Sequence, residues 1–319
     1  MLFGIIGVGG FIAPKHLKAI YETGHILDCA TDVHDSVGVL DRYYLDCEFF
    51  TSLEDLHQYL QDCKVAGKFL DFMVICTPNY LHFEHIEFAL NHGINVICEK
   101  PLVLDPSELD EIRNLETKYN KRVFNIMQLR LHPNVIDLKK SVQATLVDDP
   151  DKIYNISLTY LILRGKWYFN SWKGDEERSG GLALNLCIHF LDILLDIFGE
   201  VVDFAVHVHE HDCIGGVLNL KHAHVSWFLS INPAKLGLHR DNSYRALVLE
   251  GQEISFGHGL EKENLYIKSY QEIISGNRLG LEDVRPALEL ADDIRHANLA
   301  NSDEECHPLC HKAACNHHN

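Results

Sequence analysis

The sequence lacks any uninterrupted apolar run near the ~20 residues that a bilayer-spanning helix needs. It also lacks a basic stretch ahead of an apolar core at its start, where Met1-Leu2-Phe3-Gly4 passes straight into a strand-like pattern. No membrane span and no secretion signal are therefore expected. Positive charge is scarce: 28 Lys and Arg face 46 Asp and Glu, a net charge of -18. A surface of that sign repels nucleic acid and anionic membrane, so neither is an expected partner. An anionic substrate would need a local basic patch set against the global field. A disulfide framework is missing too. Of ten cysteines, those at 29, 47, 63, 76, 98, 187 and 213 are scattered, mostly in apolar segments. That is the usage of reduced thiols in a cytoplasmic protein.

What is present is a globular composition, 46% hydrophobic and 23% charged over 319 residues. The length exceeds one comfortable core and suits two domains. Residues 2–6 read as a buried strand, followed by Gly7-Val8-Gly9-Gly10 and a helical run from about Pro14 to Tyr21. Strand, glycine turn and helix in this order make a dinucleotide fingerprint: Gly7 permits the tight turn and Gly9 lets the backbone approach a pyrophosphate at the helix N-terminus. The third glycine position holds Ile12. The next strand, Ile26 to Thr31, ends in Asp32, where an acidic residue holds ribose hydroxyls and repels a 2′-phosphate, favouring NAD. The competing role for Asp32, or for Asp35, is to cap a following helix.

Strands at Glu48-Phe49-Phe50, Asp71 to Cys76, Ile94 to Ile97 and Val123 to Ile126 alternate with helices opening at Ser52, His82 and Ser107. Such alternation predicts an α/β fold with an N-terminal doubly wound parallel Rossmann sheet, over residues 1–126. In such sheets ligands bind outside the carboxyl ends of the strands. Thr77-Pro78-Asn79 and Cys98-Glu99-Lys100-Pro101-Leu102 fall there, the first toward the nicotinamide end of a cofactor.

From Gln128 the pattern changes. A helix from about Asn134 to Leu146 precedes a strand over Ile153 to Leu163, and further strands run from 201 to 256, closed by a helix from Leu281 to Ala297. Residues 127–300 thus form an α+β domain on a mostly antiparallel open sheet, suited to binding substrate and to oligomerisation. Between them, Arg164, Lys166 and Lys173 mingle with Trp167, Tyr168 and Trp172, a basic aromatic loop fit for an anionic ring-containing ligand. Its alternative is a loop packed by its own aromatics. Ser179-Gly180-Gly181 leads into an apolar helix, Leu182 to Phe198, on which Asn185 and His189 share a face with Asp192 and Asp196. In residues 301–319, Cys306, His307, Cys310, His311, Cys315, His317 and His318 lie at intervals that could bind zinc, but they match no zinc-finger spacing and read as a disordered or weakly metal-scavenging tail with no metal site.

Four stretches then carry a resemblance: residues 9–16, 128–133, 164–168 with 171–177, and 179–192, together with Glu99-Lys100-Pro101. Over about residues 1–300 the chain resembles the GFO/IDH/MocA oxidoreductases, and within them the UDP-N-acetylglucosaminuronate (UDP-2-acetamido-2-deoxy-glucuronate) 3-dehydrogenases of the WlbA/WbpB type. The resemblance implies NAD held by Gly7, Gly9, Gly10, Phe11, Ile12, Asp32, Thr77, Pro78, Asn79, His82, Glu99, Lys100 and Gln128. It implies that Lys100, Asn185 and His189 surround C3 of the sugar, which loses a hydride to become a 3-keto sugar nucleotide. Many relatives carry Asp where Asn185 stands. The product would pass to a pyridoxal-phosphate aminotransferase, on a route to diacetamido uronic acids of surface polysaccharide such as O-antigen. Some relatives reoxidise a retained cofactor with 2-oxoglutarate.

Alcohol oxidation needs a base within hydrogen-bond reach of the hydroxyl and reacting atoms ~3–3.5 Å apart. His189 suits the base, since imidazole titrates near neutrality, and Lys100 suits stabilisation of the developing alkoxide. The reverse assignment stays open, because a buried lysine can lose its proton. Arg130, Arg164, Lys166 and Lys173, with Trp167, Tyr168, Asn185 and His189, are the candidate substrate contacts, arginine being the better carboxylate clamp. Competing readings are a dehydrogenase of another sugar or polyol such as inositol, a nicotinamide-dependent glycosidase, and a non-catalytic NAD-binding regulator. A homo-oligomer, tetramer or dimer, is expected.

Overall fold

The computed structural model describes residues 1–232, 234, 244–254, 264–276, 279–301 and 306–315. The chain opens with strand β1 (Leu2–Ile6), helix α1 (Ala13–Glu22), β2 (Ile26–Thr31), β3 (Glu48–Phe50), α2 (Leu53–Val65), β4 (Phe72–Ile75), α3 (His82–Asn91), β5 (Asn95–Cys98), α4 (Glu108–Tyr119) and β6 (Val123–Asn125). Local chemistry sets several of these bounds. The Ser52 hydroxyl accepts the Asp55 N–H and so caps α2, with Glu54 and Asp55 in its first turn. Asn120, in the left-handed region at φ 51°, ends α4.

The six strands form one parallel sheet in the order β3-β2-β1-β4-β5-β6. This is the doubly wound order whose switch point lies between β1 and β4. The central strands are buried on both faces, with Phe3, Ile5, Val74, Ile75, Val96 and Ile97 at its core.

The second part continues with α5 (Pro133–Asp148), β7 (Tyr154–Leu161), α6 (Lys166–Phe169), α7 (Glu176–Ser179), a π-helical turn at Ala183–Cys187, and α8 (Ile188–Phe198). Strands β8 (Val201–His209), β9 (Cys213–Leu220), β10 (Ala223–Ser230), β11 (Tyr244–Leu249) and β12 (Gln252–Ile254) follow, then helices α9 (Leu265–Ile274), α10 (Leu281–His296) and α11 (Pro308–Cys315). The expected end of the last strand at Phe256 lies outside the described residues. The second sheet runs β12-β11-β7-β10-β9-β8; β7 and β10 pair parallel and every other pair is antiparallel.

By composition alone residues 176–198 could cross a bilayer, although no such run was expected. Yet 78% of their most apolar window is buried inside the fold, as a core helix.

The compact units differ from a simple division near residue 126. One comprises Met1–Gln128 with Asn264–Arg285, the other Leu129–Glu263 with Pro286–Asn319. Helix α9 returns to the first unit because it packs on α1 and carries two tyrosines to buried polar partners there. Within the tail, the described residues 306–315 are ordered, where composition suggests disorder. Helix α11 lies on β8 and β9, and Cys306, Cys310 and Ala313 are buried with Leu161, Val208, Cys213 and Phe228. His317 and His318 fall outside the described residues.

Candidate functional site

In the first unit the loops at the carboxyl ends of β1, β2, β4 and β5 are knitted together. Gly7 stands at φ 90°, and a Cβ there would meet the Cys76 carbonyl carbon and the Thr77 nitrogen at 2.8 Å. Only glycine fits that crossing. The Gly7 N–H donates to Thr31 O at 2.7 Å and Gly10 N–H to Gly7 O at 3.0 Å. Ile12, at the third glycine position, is the residue on which α1 begins, and Phe11 stands exposed at the turn.

Asp32 accepts the Gly9 N–H at 2.9 Å through one oxygen and the His34 N–H at 2.9 Å through the other. It caps a turn rather than an α-helix, since a short 3₁₀ turn at Leu40–Arg42 is all that precedes β3. Each oxygen keeps lone-pair capacity for a further donor. Thr77, Pro78 and buried Asn79 form the loop after β4. Gln128 ends this unit with a buried Oε1 that accepts no hydrogen bond. A glycine cradle that a Cβ would fill, a carboxylate at the end of β2 and an orphaned amide oxygen fit a dinucleotide.

Two residues assigned to the cofactor turn inward instead. Glu99 Oε1 accepts from His16 Nε2 at 3.0 Å and from the Tyr266 hydroxyl at 2.6 Å, while Oε2 accepts the Lys100 N–H at 3.2 Å. Burial pushes this carboxyl up. The hydrogen bond and charge of His16, the Tyr266 hydroxyl and the Lys100 charge outweigh it and bring Glu99 down to about 2. His82 is fully buried; Nδ1 meets Pro101 O at 2.7 Å and Nε2 meets Thr77 O at 2.9 Å. Burial lowers its pKa, partly offset by the two carbonyls. Glu99 and His82 spend these hydrogen bonds on buried partners and so help to frame the loops after β4 and β5. Lys100 is half-buried at the end of β5, on a cis peptide to Pro101. Burial likewise takes His85 down to about 4, and its Nδ1 meets the Thr77 hydroxyl at 2.9 Å.

In the second unit, Asn185 lies on the π-helical turn and donates to the Tyr168 hydroxyl at 3.2 Å. Such turns break the regular ladder and recur at functional positions. His189 follows in the first turn of α8, half-buried. Tyr168 is buried, which raises its phenol pKa against the pull of Asn185 and Arg164. The Arg164 guanidinium faces the Tyr168 ring at 6.0 Å, and its buried Nε has no acceptor. Lys173 lies over Trp167 and Trp172 at 5.8 and 5.4 Å, and Lys166 and Trp167 are exposed. The loop is thus packed by its own aromatics and keeps a basic surface.

Arg130 is not positioned as a substrate clamp. It grips Asp192 at 2.8 and 2.6 Å and reaches Asp196 at 3.5 Å, and Lys139 meets Asp196 at 2.7 Å. The acidic half of the expected stripe on α8 therefore binds α5 and its approach, leaving Asn185 and His189 as its chemistry-bearing part. Sequence reasoning also missed His16, Tyr266, Tyr270 and Asn125. His16 stood within a motif stretch, and Tyr266 and Tyr270 are one helical turn apart, but nothing local links them to Glu99.

Residues 1–127 match the model of the oxidoreductase family with an NAD-binding Rossmann fold, and residues 152–276 match that family's C-terminal alpha/beta domain. The WlbA (WbpB) dehydrogenase from Thermus thermophilus, solved with NAD and UDP-GlcNAcA, is 37% identical with a TM-score of 0.90, over 97% of this chain and 99% of that one. The same values hold for that enzyme with NAD and alpha-ketoglutarate. WlbA from Bordetella pertussis, with NADH and UDP-GlcNAcA, shares the fold at 18% identity and a TM-score of 0.73, over 92% and 93% of the two chains. Inositol 2-dehydrogenase/D-chiro-inositol 3-dehydrogenase from Lactiplantibacillus plantarum is 28% identical over 60% of this chain and 50% of its own length. The chain spans about half the length of the curated relatives it matches. With both halves matched in order, the chain belongs to the GFO/IDH/MocA family of NAD-binding oxidoreductases.

Proposed function

We propose that this chain oxidises the C3 hydroxyl of UDP-N-acetylglucosaminuronic acid to the 3-keto sugar nucleotide, with NAD as hydride acceptor. The observation that carries the reading is likeness over nearly the whole chain to a dehydrogenase solved with NAD and that sugar nucleotide. Bound NAD supplies a nicotinamide ring able to take the hydride. The chain's own residues do the rest. His189 takes the hydroxyl proton, and the Lys100 ammonium stabilises the alkoxide as it forms. Asn185, oriented by Tyr168, presents its amide to the sugar. Arg164, Lys166 and Lys173 offset the diphosphate and carboxylate against an acidic surface, and Trp167 offers a face for a ring.

The product is an electrophilic ketone suited to a pyridoxal-phosphate aminotransferase, within the making of diacetamido uronic acids for surface polysaccharide such as O-antigen. Reoxidation of retained cofactor by 2-oxoglutarate draws support from the alpha-ketoglutarate complex of the Thermus enzyme. A cytoplasmic, homo-oligomeric enzyme suits free thiols at all nine described cysteines whose side chains are placed, and an open second sheet.

The test is absorbance in the NADH band on mixing the protein with NAD and UDP-N-acetylglucosaminuronate, with UDP-N-acetylglucosamine and inositol as controls. Reduction by the uronate alone is expected. Reduction by inositol instead would favour the polyol reading, and NAD binding with no reduction by any sugar would favour the regulator. Lys100→Ala and His189→Ala should each abolish turnover while leaving NAD binding nearly intact.

A further inference from the structure

The backbone on either side of Lys100 is tied to buried partners. Glu99 N–H donates to Ile75 O at 3.0 Å, and Asn125 Nδ2 donates to Glu99 O at 3.0 Å. Lys100 N–H donates to Glu99 Oε2, and His82 holds Pro101 O. The Glu99 side chain is in turn held by His16, which is fully buried, and by Tyr266. Tyr270 Oη closes the chain on His16 Nδ1 at 2.8 Å, and the His16 ring stands edge-on to Tyr266. His16 Nε2–H donates to the carboxylate in either protonation state of the ring.

This is more than a core histidine needs for satisfaction. His16 on α1 and Tyr266 on α9 converge on one carboxylate at the end of β5, with Tyr270 behind His16, and the second carboxylate oxygen holds the backbone of the lysine. We propose that His16 is a positioning residue for Lys100: acting through Glu99, with Tyr266 and Tyr270 behind it, it sets where the lysine amine stands. The inference rests on the role given to Lys100 above. A misplacement on the order of 1 Å costs roughly 100-fold in rate, so a device two residues removed from the substrate can govern turnover without touching it.

The experiment compares His16→Leu, His16→Gln and Tyr266→Phe in the full chain. The glutamine amide can still donate to Glu99; leucine cannot. His16→Leu should lower kcat roughly 10–100-fold, with KM for the sugar nucleotide and Kd for NAD changed less than about twofold. His16→Gln should recover most of that loss, and Tyr266→Phe should show a smaller effect of the same kind. A second readout needs neither cofactor nor turnover. Lysines are reductively methylated with 13C-formaldehyde, and the Lys100 resonance is identified by its absence from Lys100→Arg. Its titration should move in His16→Leu and return in His16→Gln.

An unchanged kcat in His16→Leu overturns the proposal, as does equal loss in the leucine and glutamine variants. A Lys100 titration identical across the series overturns it too. If the native chain reduces NAD with no sugar nucleotide, the proposed function fails, and the Lys100 resonance still decides the role of His16.

Discussion

Arg130 and Asp192, 62 residues apart in sequence, meet through two parallel hydrogen bonds of 2.8 and 2.6 Å. Their side chains are 9% and 1% exposed. Removing one partner of such a pair leaves a buried charge uncompensated, which costs about 3–5 kcal/mol. Arg130→Ala and Asp192→Ala should each lose about that much stability by urea denaturation. Arg130→Lys should lose part of it, because an ammonium cannot match the planar fork. If Arg130→Ala instead raised KM for the sugar nucleotide with stability untouched, the clamp role would return.

Glu99 makes stability depend on pH in a stated direction. Its pKa falls from 4.5 to about 2 in the folded chain. A depressed carboxyl contributes stability that is complete above the unfolded value and is lost as pH falls through the folded one. The contribution, about 3 kcal/mol at neutral pH, should thus fade between about pH 5 and pH 2. Glu99→Gln should be markedly less stable than the native chain at pH 7 and close to it near pH 2. Parallel stability curves across that window would mean that Glu99 is not held as an anion.

How much of this was readable beforehand follows from the range of each interaction. The strand Ile26–Thr31 and the Ser52 cap were legible because period, turn residues and caps are local. The glycine turn could be placed because a strand precedes it and a helix follows. Glu99 and His82 were expected as cofactor contacts through the family resemblance, which rests on local motifs, whereas their partners His16, Tyr266 and Pro101 O are tertiary. Arg130 read as a clamp for the same reason: its charge is visible in sequence, but its partner on α8 is not. The π-helical turn at Ala183–Cys187 has no side-chain period of its own to betray it. The tail misled because cysteine and histidine suggest metal or disorder, while Cys306 and Cys310 serve as small apolar groups.

Gly7 should tolerate nothing larger. Its φ of 90° and the 2.8 Å approach of the Cys76 and Thr77 backbone both oppose a methyl group. Gly24 provides the control, since its φ is 75° with nothing within 4 Å of a Cβ. Gly24→Ala should cost only backbone strain, about 1 kcal/mol, and leave NAD binding unchanged. Gly7→Ala should cost more and also weaken NAD binding, because the β1 turn and the β4 loop must separate. Calorimetric titration with NAD on both variants checks this; equal affinities would remove the β1 turn from the cofactor site.

The docked tail should respond to mild acid. His307 Nε2 meets the Thr159 hydroxyl at 2.9 Å, Nδ1 accepts the Leu309 N–H at 3.2 Å, and the ring stacks on Phe228. Burial takes its pKa from 6.5 down to about 4. The neighbouring Cys310 thiol is pushed up to about 12 by burial, so it stays neutral and offers no charge to hold an imidazolium. A depressed histidine favours the folded chain fully above about pH 6.5 and ceases to as pH falls through about 4. Relative to neutral pH, stability should drop by about 2 kcal/mol at pH 5 from this group alone. Hydrogen exchange in Pro308–Cys315 should accelerate over the same range. His307→Gln, which keeps one donor and one acceptor without titrating, should flatten both responses. An acid response that persists in His307→Gln would place the sensitive group elsewhere in the second unit.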